Sequence, residues 1–275
     1  MTIDYVLINK ENRDQFLCVF PAFLKANGNR VSLGAVNEDG EILGGISFTF
    51  ANFRYDIDWL YVEEAARRQG VGAGLVRQVI KFANNTGEIY PIACRFDVSD
   101  TDKELHSFFI SLDEMEVDYS HERYFITTKD VVASKLTKME PKKGSVGAEA
   151  FFDKPKGFQE NVLRFLEKNH DYSVFDYEEW KDECVPELCK CVISHNELVG
   201  SIFILQTGEN KFDISFVYSR NPKALALLLG SVAKELEEKY PDAELSYETV
   251  SSESEVLSEH LFSHARSEHI YEAVY

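Results

Sequence analysis

No apolar run in this chain approaches the ~20 residues that a membrane-spanning helix needs. The start, Met1-Thr2-Ile3-Asp4, lacks a basic segment followed by an apolar one. Both absences read as a soluble, cytoplasmic protein with no membrane partner. Basic residues are also scarce: 29 Lys and Arg stand against 47 Asp and Glu, a net charge of −18. The deficit runs through both halves, with 15 basic and 22 acidic residues in 1–140, and 14 and 25 in 141–275. Neither half offers the positive surface that a phosphate backbone requires, so no nucleic-acid partner is expected. An acidic surface favours cationic small molecules instead.

The five cysteines, Cys18, Cys94, Cys184, Cys189 and Cys191, are an odd number without a secretion signal, which implies reduced thiols. Cys184-x4-Cys189-x-Cys191 with His195 is not a usual zinc spacing, and no metal is expected. Ser107, Ser111 and the scattered histidines make no nucleophile–base pattern. The acidic run Glu235 to Glu238 reads as a solvated helix face.

The first half alternates strand and helix signals. Strands are expected over 3–8, 30–36, 41–50, 56–62, 89–98 and 123–128, and a hairpin turn at Asn37-Glu38-Asp39-Gly40. Helices are expected over 13–25, with Asn12 as a cap, over 102–112, and over 71–84, where Val71, Leu75, Val76, Val79, Ile80 and Ala83 share a face. The Lys-, Pro- and Gly-rich stretch 137–157 reads as a linker. The expected division is a first domain over 1–135, a linker over 136–156 and a second domain over 157–275.

The second half repeats the first. Tyr55-Asp56-Ile57-Asp58-Trp59-Leu60-Tyr61 returns as Phe212-Asp213-Ile214-Ser215-Phe216-Val217-Tyr218, and Glu41-Ile42-Leu43-Gly44-Gly45 as Glu197-Leu198-Val199-Gly200-Ser201. Leu105 matches Leu257 at an offset smaller by five. The second copy is about four residues shorter at one turn, between its equivalents of Val62 and Lys81.

That turn is where the chemistry is expected. In the first copy it reads Val62-Glu63-Glu64-Ala65-Ala66-Arg67-Arg68-Gln69-Gly70-Val71-Gly72-Ala73-Gly74, between a strand and a helix. Glycines let a backbone approach a ligand closely, and a helix start presents unpaired N–H groups and a positive dipole end. Such a turn suits a phosphate or pyrophosphate, though a tight α/β connection has the same spacing. A dinucleotide fold carries its glycines after the first strand, and this turn follows the fourth. A Walker loop needs Gly-Lys-Ser/Thr, which is absent.

Leu60-Tyr61-Val62 followed by Arg67-Arg68-Gln69-Gly70-Val71-Gly72 resembles the acetyl-CoA signature Arg/Gln-x-x-Gly-x-Gly/Ala of the GCN5-related N-acetyltransferase (GNAT) superfamily. The likeness covers about residues 3–130. It implies an α/β (α+β) fold of two tandem GNAT-like domains, each a mixed, mostly antiparallel sheet flanked by helices, with a degenerate second copy. It also implies acetyl-CoA as co-substrate. The diphosphate would lie on main-chain N–H groups from Gln69 to Ala73, within a cofactor set of Leu60, Tyr61, Val62, Arg67, Arg68, Gln69, Gly70, Val71, Gly72, Ala73, Gly74, Asp102 and Phe109. The pantetheine arm would run along the strand near Leu60 and Val62. A primary amine, small and cationic or part of a protein, would attack the acetyl carbonyl directly.

Alignment from the glycines puts the family's basic carboxylate at Asp56, with Asp58 two residues on. Either can act as base or bind a cationic substrate, and either can instead be the structural partner of Arg54 or Arg95. The family's thiolate-protonating tyrosine falls on Phe109, which has no proton to give. Tyr119, Tyr124, His106 or water would then serve, or the domain binds acyl-CoA with little turnover. In the second copy Ser219-Arg220-Asn221-Pro222 replaces the glycine turn, Leu261 takes the tyrosine position and Asp213 matches Asp56. That copy is expected to pack on the first, shape its cleft or mediate dimer contacts. Monomer and homodimer remain open.

Overall fold

The computed structural model describes residues 2–20, 30–51, 53–98, 103–137, 147–170, 175, 177–249 and 251–275. They form two compact units, Met1–Ser120 with Ile270–Tyr275, and His121–His269.

In the first unit, β1 (Ile3–Leu7), β2 (Arg30–Asn37), β3 (Ile42–Ala51) and β4 (Arg54–Val62) form an antiparallel series. The β2–β3 turn is fixed by Asn37, whose Oδ1 accepts the Glu41 N–H at 2.8 Å and the Asp39 N–H at 3.0 Å, while Gly40 takes the left-handed φ of 81°. Helix α1 (Val71–Asn84) follows β4, and β5 (Ile92–Val98) then runs parallel to β4. The periodic face of α1 is buried as the sequence requires. Val71, Leu75, Val76, Val79 and Ala83 pack on Ile46 and Phe48 of β3 and Tyr55 and Ile57 of β4. After β5 come α2 (Glu104–Ile110) and the start of β6 (Glu116–Thr127). In place of the helix expected over 13–25 there is a 3₁₀ turn, Arg13–Phe16, and residues 21–29 lie outside the described residues.

The second unit repeats this order. Helix α3 (Thr128–Ala133) closes β6. β7 (Ala148–Ala150), α4 (Lys156–Asn169) and the one-turn α5 (Tyr177–Trp180) lead to β8 (Lys190–Ser194), β9 (Glu197–Gly208), β10 (Lys211–Ser219), α6 (Pro222–Lys239), β11 (Glu244–Glu248), α7 (Ser252–Leu261) and β12 (Arg266–Val274). The sheet is antiparallel from β7 to β10, parallel between β10 and β11, and antiparallel between β11 and β6. Leu228, Val232 and Leu236 of α6 are fully or almost fully buried against Ile202, Ile204 and Phe212. Cys189 and Cys191 are buried in a second core cluster with Phe151, Phe203 and Phe216.

Packing divides the chain differently from sequence order. The segment 123–127, which sequence order assigns to the first half, pairs with β11 of the second unit, Arg123 with Glu248 and Thr127 with Glu244. The first unit takes its last strand from the C-terminus: Ile92 and Tyr275 exchange backbone hydrogen bonds of 2.9 and 3.3 Å, and Ala273 is fully buried in its core. Ala148–Ala150, inside the stretch expected as a linker, is paired with β8, and Phe151 is fully buried. Residues 138–146 lie outside the described residues.

One charged contact departs from the sequence reading. Glu235 is not part of a wholly solvated face: it accepts from Lys190 at 3.2 Å, and the Lys190 side chain is only 5% exposed. A buried ammonium needs such a partner. Burial pushes the Glu248 carboxyl up, but the His121 hydrogen bond at 2.9 Å and the Arg123 guanidinium more than offset this and bring it down to about 2. A carboxyl held below its unfolded value stabilises the fold above pH ~4.5, and the contribution is lost as the pH falls toward 2; here it is at most about 3 kcal/mol. Glu248→Gln is therefore expected to be less stable than wild type at pH 7, with the deficit closing between pH 4.5 and 2 in urea titrations. A deficit that stays constant across that window would refute the linkage.

Candidate functional site

β3 and β4 are in register from Gly44–Val62 to Ser47–Trp59, then shift, so Asp58 is the unpaired residue of a bulge before Ile57 meets Phe48. A bulge re-aims the side chain it carries. On its other edge β4 pairs with β5 only at Tyr55–Ile92 and Asp56–Ala93 among the described residues. Beyond Asp56 the two strands part. This leaves one edge of β4, from Ile57 to Val62, facing a wedge with no strand in it.

At the end of β4 the chain makes a 3₁₀ turn, Glu64–Ala66, anchored by buried Ala66. Arg68 then takes φ 62° and Gly70 φ 84°, both left-handed, and α1 begins at Val71. Glycine makes the second of these cheap. The first intrahelical bond to Gly70 comes from the Gly74 N–H at 2.9 Å. The N–H groups of Val71, Gly72 and Ala73 thus belong to the unpaired first turn, and no side chain caps it among the described residues.

These open donors face a cavity of about 470 Å³. Leu60, Tyr61, Val62, Ala66, Arg67, Arg68, Gly70, Val71, Gly72 and Ala73 line one side of it, and Glu104, Leu105, Phe108 and Ser111 at α2 line the other. Most of the sequence-derived cofactor residues therefore meet around one space. Arg67 Nε also donates to the Val62 carbonyl at 3.1 Å, which ties the turn to the strand end. Glu104 lies 3.9 Å from Arg67 and 4.0 Å from Arg68, pairs too long and exposed to immobilise either guanidinium strongly.

The remaining sequence-derived residues sit elsewhere. The Gln69 side chain turns back to donate to the Ala65 carbonyl at 2.8 Å. Phe109 is fully buried, stacked on Phe96 at 5.0 Å, and its neighbour Phe108 faces the cavity instead. Asp102 lies outside the described residues. Tyr119 is 45% exposed with its ring edge-on to Tyr271. Tyr124 stacks on Tyr247 in the second unit, and the His106 ring packs on Tyr271. Gly74 turns toward β1, where a Cβ would collide with the Tyr5 hydroxyl. Gly74→Ala is accordingly expected to lower stability by about 1–3 kcal/mol through overpacking. Gly74 does not line the cavity, so the effect should appear as a lowered melting temperature, and an unchanged melting temperature would show that Tyr5 gives way without cost.

The carboxylates of β4 are both engaged. Asp56 accepts from Arg54 Nε at 2.7 Å. Asp58 accepts from Arg30 Nε at 3.3 Å and from the Thr49 hydroxyl at 3.2 Å. Burial raises the Asp58 carboxyl above its ordinary value despite Arg30 and Thr49. A third carboxylate, Glu272, accepts from Arg54 at 3.0 Å and Arg95 at 3.2 Å. Nothing in the sequence signals Glu272, which arrives on the C-terminal strand. Cys94 on β5 lies within reach of all three carboxylates, and burial together with their charge pushes its thiol up to about 12. It is a neutral thiol at physiological pH and a poor nucleophile.

The first unit thus combines a parallel strand pair that opens into a wedge with an uncapped glycine turn at the wedge's end. Residues 6–111 match the family model described as the Acetyltransferase (GNAT) family. The fold of the whole chain is that of tandem GNAT proteins. It resembles a tandem GNAT protein from the clavulanic acid biosynthesis pathway at 12% identity and TM-score 0.66, over 99% of this chain and 98% of that one. It also resembles GCN5-related N-acetyltransferases from Kribbella flavida (14%, TM-score 0.59, 98% and 70%) and Sphaerobacter thermophilus (15%, TM-score 0.57, 96% and 84%). No curated protein matches the chain. No helix among the described residues is long and apolar enough to cross a membrane.

Proposed function

We propose that the first half of the chain, about residues 1–135 as read from sequence, is an N-acetyltransferase domain that moves the acetyl group of acetyl-CoA to a primary amine. One observation carries this reading: the open N–H groups at the start of α1 face a cavity flanked by Arg67 and Arg68, in a chain that is otherwise strongly acidic. In this reading the diphosphate lies on the N–H groups from Gln69 to Ala73. The pantetheine extends the sheet along the free edge of β4 beside Leu60 and Val62.

The thioester then reaches the wedge beside Asp56 and Asp58. An amine entering there loses its proton to Asp58, whose raised carboxyl suits a base better than that of an ordinary aspartate. Attack on the acetyl carbon forms the C–N bond, the C–S bond breaks, and the departing thiolate takes a proton from Tyr119 or from water. A backbone N–H near Val62 polarises the carbonyl. The neutral Cys94 thiol argues for direct attack over an acetyl-cysteine intermediate.

A second reading is an acyl-CoA-binding regulator with little turnover, which the ion-paired state of Asp56 and the burial of Phe109 favour. Thiol release from acetyl-CoA across an amine library separates the two. Amine-dependent release supports the enzyme, and tight binding without it supports the regulator. Calorimetry that finds no binding of acetyl-CoA or coenzyme A would overturn both.

A further inference from the structure

In the second unit a strand ladder and a tight turn bring Cys184 and Cys189 together. β8 pairs with β9 at Lys190–Ile202 and Cys191–Ser201, which places Cys189 next in line, opposite Phe203. Cys184 bridges to Leu205 of the same strand, and the Val185 N–H donates to the Ile204 carbonyl at 2.9 Å. Between the two cysteines the chain turns back on itself: the Leu188 and Cys189 N–H groups both donate to the Val185 carbonyl at 3.0 Å. Phe203 and Leu205 lie on one face of β9, a step of roughly 6.8 Å. The cysteines opposite them share that face, and both pack in the cluster of Phe151, Phe203 and Phe216. A disulfide spans Cα separations of up to about 6.8 Å.

The thiols meet across this step. They hydrogen-bond to each other, which pushes the Cys184 thiol up and brings the Cys189 thiol down. The Cys189 sulfur also accepts from the Ile204 N–H at 3.4 Å and donates to the Ile204 carbonyl at 3.6 Å. Nothing is orphaned if Cys189 loses its proton, because that carbonyl already accepts from Val185. Cys189 is fully buried, whereas Cys184 is half-buried. Cys184 lines a surface cavity of about 540 Å³ with Asp182, Glu183, Gln206 and Thr207. The acidic mouth favours a cationic reagent. Cys191, two residues on along β8, lies near Lys154 and Glu149 instead, and burial pushes its thiol up to about 11.

We propose that Cys184 and Cys189 form a reversible disulfide, with Cys184 as the entry point for a small cationic disulfide that oxidises the pair. The Cys184 sulfur bonds to one sulfur of the reagent, the reagent's S–S bond breaks, and its other half leaves as a thiol with the Cys184 proton. The Cys189 sulfur then bonds to the Cys184 sulfur, and the second half leaves as a thiol with the Cys189 proton. The protein dithiol is oxidised to a disulfide, and one reagent disulfide is reduced to two thiols. The site is independent of the acetyl-CoA reading of the first unit.

The test is incubation of the folded full chain with cystamine, followed by alkylation of the remaining thiols in denaturant and peptide mapping. Cys184 and Cys189 should be lost as free thiols together and recovered as one cross-linked pair, while buried Cys191 stays alkylatable. Dithiothreitol should restore both thiols. Cys189→Ala should stop the reaction halfway, with a stable cysteamine adduct on Cys184. Cys184→Ser should abolish the loss of Cys189. The wild-type map and Cys184→Ser carry the test independently of how well Cys189→Ala folds. A wild-type Cys184 that retains the adduct, a Cys189–Cys191 bond, or loss of Cys189 in the Cys184→Ser chain would each overturn the proposal. So would a pair that stays reduced in the folded chain and reacts only in urea.

Discussion

Gly72→Glu is expected to weaken acetyl-CoA binding by about 100-fold or more while leaving the fold intact. Gly72 occupies the second position of α1, where a glutamate suits the helix: it removes glycine's backbone freedom and places a negative charge near the positive dipole end. The added Cβ would come 3.2 Å from the Phe108 ring and 3.5 Å from Val62 Cγ2, tight but within what a half-buried ring can accommodate by a small shift. The new carboxylate would satisfy the N–H groups that the diphosphate needs and repel the diphosphate as well. Two unit charges 4 Å apart at an effective dielectric of 20 repel by about 4 kcal/mol, and even half of that is roughly 30-fold in affinity. Calorimetry should therefore show the loss, and the melting temperature should hold or rise. An unchanged affinity would mean that the anionic end of the cofactor lies elsewhere.

Asp58→Asn is expected to lower kcat/KM by about 10²- to 10⁴-fold, the usual contribution of a positioned base. The substitution keeps shape and one acceptor oxygen for Arg30, and its amide N–H can donate to the Thr49 hydroxyl in place of the bond that hydroxyl donated, so binding of acetyl-CoA should be close to wild type. The pH profile gives the sharper readout. Because burial raises the Asp58 carboxyl, wild-type activity should fall on the acid side with a midpoint above the ordinary aspartate range. The variant's residual activity should lack that limb. A variant that loses rate but keeps the acid limb would assign the proton to another group, with Asp56 and Glu272 next in line.

The parts of the site that lie together in sequence were readable from sequence. β4, the glycine turn and α1 form one continuous segment, and its pattern of apolar residues and glycines prescribes strand, tight turn and helix without help from distant residues. Side-chain direction was less accessible. Phe108 and Phe109 are one residue apart on a helix, about 100° of rotation, so alignment alone does not say which faces the cavity. Gly74 belongs to the same glycine cluster as Gly70 and Gly72, yet its lack of a side chain accommodates Tyr5 of β1. Asp58 shares a strand face with Asp56 only if the ladder is regular, and the bulge breaks that alternation. Glu272 was out of reach for another reason: it joins Arg54 and Arg95 through a strand from the far end of the chain, and no local pattern encodes such a pairing.

That same strand sets the order in which the chain can finish folding as it leaves the ribosome. The second unit is one contiguous stretch, His121–His269, and has everything it needs once that stretch has emerged. The first unit, although translated earlier, lacks Ala273 and the backbone partner of Ile92 until residues 270–275 have been made. At roughly 5–20 residues per second, its incomplete sheet waits on the order of 10–30 s with the edge of β5 uncovered. A chain cut short anywhere in the second half should therefore leave the sheet of the first unit incomplete, with the edge of β5 exposed.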